Sequence, residues 1–497
     1  MNKFSPIPCG QTIPINNVHA VSVSMPTLQD VIDYEEHVPE VVNKIKSGYP
    51  RFILHPYLKI LADFIKEKYC VCEDYEVVLV SSSDAVAIIS DTYFIHNKID
   101  IDEPFGVILV IKGTCQLNKV LQFIQHVGCN LSSRLAEDYL LEHNIIQERH
   151  QEELEKEHSC EDILLSTLSK AYNQPKENIC LSPSGMNSVY AILKGLKSIQ
   201  ARNNRHTIVQ LGWLYLDTMN IVKHHFKKSK TFFDITNLDL VEEFLKKEGC
   251  SVSAIITEIP TNPLLQCVDL PRLKKLCDTY NIPLVIDSTI GTPYTLDLKP
   301  YADIFIESLT KYACGNADVL MGCFVLNENS NISFIKNEFV KHTDKPYIKD
   351  IQRLAYEIKN YESRMKMISA NTIKLINYLE SCSYIDKVYH CMQEDYAQNY
   401  KKLMICEDSY AGLVSVTFNK PFEEIYDKLN FAKGPSLGTE FTLLMPYVYL
   451  AHYDYITCNE GREFLEKHSI PIDLLRISVG TEDINDIITE FKKLETI

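Results

Sequence analysis

The chain has no long apolar run. Nothing in its 497 residues approaches the ~18 consecutive apolar residues of a membrane-spanning helix, and residues 105–111 are only of core-strand length. A membrane partner is therefore not expected. It also lacks a basic cluster. Lys and Arg number 50 against 66 Asp and Glu, a net charge of −16, and a surface of that sign repels a nucleic-acid backbone. Its 16 cysteines lack paired spacing. Cys70-Val-Cys72 is the closest pair, and no second pair or histidine pair completes a metal site, so no metal is expected and the thiols read as reduced and mostly buried. The opening Met1-Asn-Lys-Phe-Ser-Pro-Ile-Pro lacks the apolar core of a signal peptide, which points to a cytoplasmic protein. Internal repeats and low-complexity tracts are missing as well.

What is present is an ordinary globular composition, 45% hydrophobic and 23% charged, in a chain long enough for more than one core. Residues 1 to about 57 are rich in Pro, Val and Ser, with little helical period before 38–45. Pro50 biases Tyr49 away from helix, so an extended arm is expected rather than a core. Two strand-then-helix units follow between Leu58 and about Asn144, 77–80 before 84–89 and 107–111 before 116–126, as in an added α/β layer. The charge run 147–158 reads as a solvated helix or a linker. Candidate strands at 252–256, 284–286, 304–306 and 323–326, with a helix at 270–280, predict a mostly parallel sheet. Residues 333 to about 380 are helical and charged, 412–418 and 474–480 read as strands, and 484–494 as an amphipathic closing helix.

One stretch organises the rest. After the apolar run 302–306, Glu307-Ser308-Leu309-Thr310-Lys311-Tyr312-Ala313-Cys314-Gly315 sets one lysine among hydroxyls before a glycine turn. An amine there can condense with an aldehyde cofactor while Ser308 and Thr310 donate to its phosphate; a lone lysine is more simply a solvated charge. Upstream, Pro283-Leu-Val-Ile-Asp287 reads as a buried strand ending in an acid. An acid at the carboxyl end of a parallel strand points into the crevice where open α/β sheets bind ligands, where it can keep a pyridine nitrogen protonated; the plainer alternative is a helix N-cap. Ser184-Gly185-Met186 opens a helix whose apolar Met186, Val189, Tyr190 and Leu193 share one face. Its first N–H groups can cradle a phosphate, or simply be capped.

Together these motifs resemble the cysteine/methionine-metabolism family of pyridoxal-phosphate enzymes, of the aspartate-aminotransferase fold type, over most of the chain. Ser184-Gly185-Met186 is similar to the family's phosphate turn. Glu258-Ile-Pro-Thr-Asn262-Pro263 and Val285-Ile-Asp287-Ser-Thr289 are similar to its cofactor-binding strands, and Ser308-Leu-Thr310-Lys311-Tyr312 to its Schiff-base loop. His19-Ala-Val-Ser-Val-Ser-Met-Pro-Thr27, Tyr34-Glu-Glu36, Ser47-Gly-Tyr-Pro-Arg-Phe52, Gly212-Trp-Leu-Tyr-Leu-Asp-Thr218 and Gly434-Pro-Ser-Leu-Gly-Thr-Glu440 resemble the fungal cystathionine γ-synthase branch. That branch carries a similar extension between Arg51 and Ser184.

The resemblance implies an α/β transferase of fold type I. It would have an N-terminal arm with an inserted α/β segment (1–160), a large domain with a mostly parallel seven-stranded sheet (161–350) and a smaller C-terminal α/β domain (351–497). It implies pyridoxal 5′-phosphate as cofactor and γ-replacement as reaction. An O-acylhomoserine, expected to be O-acetyl-L-homoserine, would react with L-cysteine to give L-cystathionine, in transsulfuration and methionine biosynthesis. An O-acetylhomoserine sulfhydrylase, a cystathionine lyase and a non-catalytic regulatory homologue are alternatives on this scaffold.

Residue by residue, the resemblance implies Lys311 as the cofactor-linked, proton-moving amine and Asp287, with Thr289 beside it, as partner of the ring nitrogen. Tyr215 would stack on the ring and share in catalysis, and Asn262 would meet its phenolic oxygen. Gly185, Met186, Ser308 and Thr310 would hold the phosphate. Tyr49 and Arg51 match the motif that reaches across a dimer to the neighbour's phosphate, Tyr49 assisting proton traffic, and this implies a homodimer or homotetramer with shared sites; the plainer reading is a surface turn. Arg476 would clamp the substrate α-carboxylate, with Ser436 lining the same pocket. Pro50, Leu216-Asp217 and Pro435 depart from the bacterial pattern, and Glu440 adds a charge near the substrate loop with no role assigned.

Overall fold

The computed structural model describes residues 4–48, 53–95, 97–99, 104–156, 159–226, 228–332 and 334–496. Near its start β1 (Thr12–Ile13) and β2 (Ser22–Val23) pair antiparallel. A helix at Leu28–Glu35 follows, opened by a reciprocal cap between Thr27 and Asp30. Here the expectation of an extended arm outside any core is corrected. Val23, Met25, Leu28 and Val31 are buried in one cluster with Leu444, Ile477 and Phe491, residues some 400 positions later. The arm completes a core that the C-terminal residues begin.

The next residues form a layer of their own. β3 (Tyr75–Val80), β4 (Lys98–Ile99) and β5 (Gly106–Ile111) make an antiparallel sheet in the order β3-β5-β4. Helices Ser83–Tyr93 and Cys115–Val127 follow β3 and β5, and their apolar residues pack with the helix Gly185–Ala201. The charge run is a linker rather than a helix, largely exposed but pinned at two points. Residues 147–156 have no regular structure, while Glu152 accepts from Arg134 Nη2 at 2.6 Å and the Glu155 N–H donates to the Gln352 carbonyl at 3.1 Å.

The central sheet has seven strands: β6 (Ile179–Ser182), β7 (Thr207–Leu211), β8 (Lys228–Phe232), β9 (Val252–Glu258), β10 (Leu284–Asp287), β11 (Ile304–Ser308) and β12 (Gly322–Leu326). Their order is β6-β12-β11-β10-β9-β7-β8, with only β12 running against its neighbours. Both faces are covered. Val252 and Ile255 of β9 enter one core while Ala254 and Ile256 enter the other, which is why these strands read as unbroken apolar runs. The helix Tyr361–Glu380 leads to a second sheet of β13 (Ile385–Tyr389), β14 (Leu413–Phe418), β15 (Ala432–Lys433), β16 (Leu443–Pro446) and β17 (Leu475–Ser478), ordered β13-β14-β17-β16-β15. Among the described residues no helix is long and apolar enough to cross a membrane.

Candidate active site

Parallel β9, β10 and β11 deliver their last residues to one edge of the central sheet, and the cavity lies there. Asp287 ends β10 and stands in register with Glu258, the last residue of β9. Asp287, Glu258, Lys311, Ser308, Thr289, Asn262, Tyr215, Gly185 and Met186 all line this one cavity, with Val189, Ile290 and Leu437 as its apolar wall. The lysine and the acid singled out in the sequence thus open onto the same space.

Lys311 follows β11 by three residues, and its Nζ donates to Ser436 Oγ at 3.0 Å. Burial, with the Arg476 guanidinium beside it, pushes the amine down from 10.5 to about 7, so a large share is uncharged at neutral pH. Asp287 accepts from the Thr289 N–H at 2.9 Å; burial raises its carboxyl and the Thr289 hydrogen bonds oppose the rise. Glu258 sits deeper. Its Oε1 accepts from the Tyr215 N–H at 2.5 Å, and burial, then the neighbouring Asp287, raise it well above the ordinary carboxylate range. Both carboxyls are raised by burial, and Glu258 is raised further by the charge of the neighbouring Asp287.

At the other end of the cavity Ser184 caps the 17-residue helix Gly185–Ala201, accepting from the Asn187 N–H at 3.1 Å. The Ser184 hydroxyl in turn donates to the Gly128 carbonyl at 3.0 Å, so the end of the added layer's helix abuts this turn. A Cβ on Gly185 would lie 2.8 Å from Ser308 Cβ, and the Ser308 hydroxyl is buried with no partner among the described residues. A helix N-terminus, a glycine and an orphaned hydroxyl facing one another form a cradle for an anion. The phosphate, ring nitrogen and aldehyde of pyridoxal phosphate fit the cradle, the acid and the half-neutral amine.

Arg476, on β17, is 4% exposed, and no carboxylate pairs with it among the described residues. Its Nη2 donates to the Ser436 carbonyl at 2.6 Å, its Nη1 to Asn262 Oδ1 at 3.3 Å, and its Nε has no partner among the described residues. A buried arginine without an acid can receive a carboxylate from outside. Not every residue singled out in the sequence reaches the cavity. The Thr310 hydroxyl donates to the Met321 carbonyl at 3.2 Å and accepts the Met321 N–H at 3.0 Å, behind the loop. Tyr49 and Arg51 lie outside the described residues. The sequence reading quotes Glu258 at the head of a cofactor-binding motif but gives it no role, although it ends a buried strand just as Asp287 does.

Residues 162–494 match the model of the family described as Cys/Met metabolism PLP-dependent enzyme. The chain is 36% identical over 473 residues, 94% of each chain, to an L-2-amino-4-chloropent-4-enoate dechlorinase/desaturase of Streptantibioticus cattleyicolor. It is 26% identical over 614 aligned residues, 98% of each chain, to a cystathionine γ-synthase of Neurospora crassa, and 25% identical to that of Saccharomyces cerevisiae, over 97% of this chain and 98% of the relative. Among solved structures, cystathionine γ-synthase from Xanthomonas oryzae pv. oryzae superposes with a TM-score of 0.57 at 18% identity, covering 68% of this chain and 85% of that one. Cystathionine γ-lyase from Lactobacillus plantarum gives 0.55 at 21%, covering 66% and 83%.

Proposed function

The chain belongs to the Cys/Met-metabolism family of PLP-dependent enzymes, and we propose that within it the protein removes a leaving group from the γ-carbon of an L-amino acid. One observation carries this. A single residue, Ser436, bridges the Lys311 amine at 3.0 Å and the Arg476 guanidinium at 2.6 Å, a spacing suited to an α-amino acid whose carboxylate takes the arginine while its α-carbon faces the lysine. Bound pyridoxal phosphate supplies an electron sink for the charge that develops when the α-proton leaves. In this reading Lys311 holds the cofactor's aldehyde and, once displaced and uncharged, takes the proton from the substrate α-carbon and returns it at neighbouring carbons. Asp287 would keep the ring nitrogen protonated, Tyr215 would cover the ring, Asn262 would meet the phenolic oxygen, and Gly185, Met186 and Ser308 would receive the phosphate. By the motif they match, Tyr49 and Arg51 would serve a neighbouring subunit's cofactor in a cytoplasmic homodimer or homotetramer, and the parts proposed for the chain are 1–160, 161–350 and 351–497.

The substrate pair proposed is O-acetyl-L-homoserine and L-cysteine, giving L-cystathionine and acetate, in line with the fungal cystathionine γ-synthases that align over nearly the whole chain. A specific observation favours a second reading. The fungal alignments run to 614 and 638 positions, longer than the chain itself, whereas the dechlorinase/desaturase aligns over 473 at higher identity. Its named substrate carries chlorine on C4, again the γ-carbon, and needs no second nucleophile. The test is one assay series on cofactor-loaded protein: O-acetylhomoserine with and without cysteine, with sulfide, cystathionine alone, and L-2-amino-4-chloropent-4-enoate. Cystathionine plus acetate supports the first reading and chloride release the second. Silence on all of them, with no pyridoxyl adduct on the Lys311 peptide after borohydride, would sink both.

A further inference from the structure

Glu440 and Arg364 stand apart from the cavity, yet between them they hold its two working loops together. Arg364, on the helix Tyr361–Glu380, is 2% exposed. Its Nη1 donates to the carbonyls of Tyr312 (2.8 Å) and Ala313 (3.1 Å), the two residues that follow Lys311. Its Nε donates to Glu440 Oε1 at 2.8 Å, and its Nη2 lies 2.8 Å from the same oxygen while donating to the Glu357 carbonyl at 3.2 Å. Glu440 lies four residues after Ser436, and its own N–H donates to the Gly315 carbonyl at 2.8 Å.

The approach is close enough to require glycine on both sides. Gly315 has φ +78°, and a Cβ there would sit 2.4 Å from Arg364 Nε; Gly438 has φ +76°, and a Cβ there would sit 2.7 Å from the Tyr312 nitrogen. The same helix also holds the strand exit behind Arg476. Asn371 Nδ2 donates to the carbonyls of Gly480 (3.0 Å) and Glu482 (2.8 Å), just past β17. One helix therefore contacts the Lys311 loop, the Ser436 loop and the segment that follows the strand carrying Arg476.

We infer that the Arg364–Glu440 pair is a positioning latch that fixes the Lys311 amine against Ser436 and Arg476, and so sets how an amino-acid substrate lies under its base. The inference rests on the roles proposed above for those three residues. Both latch residues act through others. The guanidinium fork has four acceptors in fixed directions, which a lysine ammonium cannot reproduce. The pair's hydrogen bonds fall on residues after Lys311 and not on Gly185 or the Ser308 hydroxyl, so the latch should change substrate turnover more than phosphate binding.

The test uses full-length Glu440→Gln, Glu440→Ala and Arg364→Lys, with the double variant Arg364→Lys/Glu440→Ala. Glu440 is partly exposed, so its substitutions preserve the fold even where Arg364→Lys loosens it. Cofactor affinity is read by titrating apo-protein fluorescence with pyridoxal phosphate, and kcat and KM with whichever γ-substituted amino acid turns over. The pH midpoint of the visible cofactor band is a third readout, since it reports the surroundings of Lys311. Glu440→Ala and Arg364→Lys are expected to lower kcat/KM by roughly tenfold to a hundredfold, as misplacement on the scale of 1 Å does, with the visible-band midpoint shifted and cofactor affinity within about twofold. Glu440→Gln, which keeps an acceptor, should fall between, and the double variant should be no worse than the poorer single one. Unchanged kinetics in Glu440→Ala would overturn the inference, as would cofactor affinity falling in step with activity. Failure of the underlying reading shows separately, as wild-type protein that binds no pyridoxal phosphate or a Lys311→Ala variant that retains turnover.

Discussion

Ser436 joins Lys311 to Arg476 through opposite ends, its hydroxyl accepting from the amine at 3.0 Å and its carbonyl from the guanidinium at 2.6 Å. It does so with φ at +92°, a conformation that costs a non-glycine residue about 1–3 kcal/mol. Ser436→Gly should therefore raise stability, by up to about 1 kcal/mol after the glycine's extra unfolded-state freedom is counted, while Ser436→Ala should not. Both lose the hydroxyl, so both should lose activity alike. Urea unfolding beside steady-state kinetics separates the two effects; a stabilised, fully active Ser436→Gly would refute the role of the hydroxyl.

The Lys311 amine gives a pH dependence in the apo-protein. Between about 7, its folded value, and 10.5 the unfolded chain binds the extra proton, so this residue's contribution makes the fold more stable as pH rises through that window. Pyridoxal phosphate capture, which needs the neutral amine, should accelerate across pH about 7. Lys311→Met should abolish capture and flatten the stability slope above neutrality. Stopped-flow absorbance and thermal melts at several pH values would show it.

Glu307 predicts the opposite slope. It is a buried residue of β11, accepting from Tyr172 (2.5 Å) and Tyr361 (2.6 Å), and burial lifts its carboxyl from 4.5 to about 7. A raised folded value means its contribution is fully present below pH 4.5 and is lost as pH rises through about 7. Glu307→Gln should flatten the loss of thermal stability between those limits. A variant melting with the wild-type pH profile would remove Glu307 as its source.

Two glycines test the anion cradle from either side. Gly185→Ala directs a methyl at Ser308, and Gly128→Ala, at φ +70°, directs one to 2.1 Å from the Ser184 hydroxyl that caps the cradle helix. Each should weaken pyridoxal phosphate binding by about tenfold or more, in keeping with one lost charge-assisted hydrogen bond. Gly128 lies in the added layer, so its effect would link that layer to the cofactor. Equal affinities in apo-protein titrations would sever the link.

How much of this was legible in the chain follows from the range of each interaction. β9, β10 and β11 announce themselves as apolar runs because both of their faces are buried, and Asp287 and Lys311 are marked by where those runs stop. The helix Leu28–Glu35 was missed despite its Thr27–Asp30 cap, since one short amphipathic helix amid Pro and Ser carries little periodic signal. The Thr310 hydroxyl was read as a phosphate donor from its neighbours in sequence, while its partner is Met321, eleven residues on. Arg364 and Glu440 are 76 positions apart, and nothing local in either segment points to the other.

The N-terminal arm has a consequence for biosynthesis. Ser22 Oγ donates to the Pro435 carbonyl at 2.6 Å and Tyr426 hydroxyl to the Met25 carbonyl at 2.8 Å, across 413 and 401 positions. At ordinary translation rates the ribosome takes on the order of tens of seconds to supply that partner. Throughout that interval Val23, Met25 and Leu28 lack the C-terminal part of the core they share, so that core closes only once the chain is nearly complete.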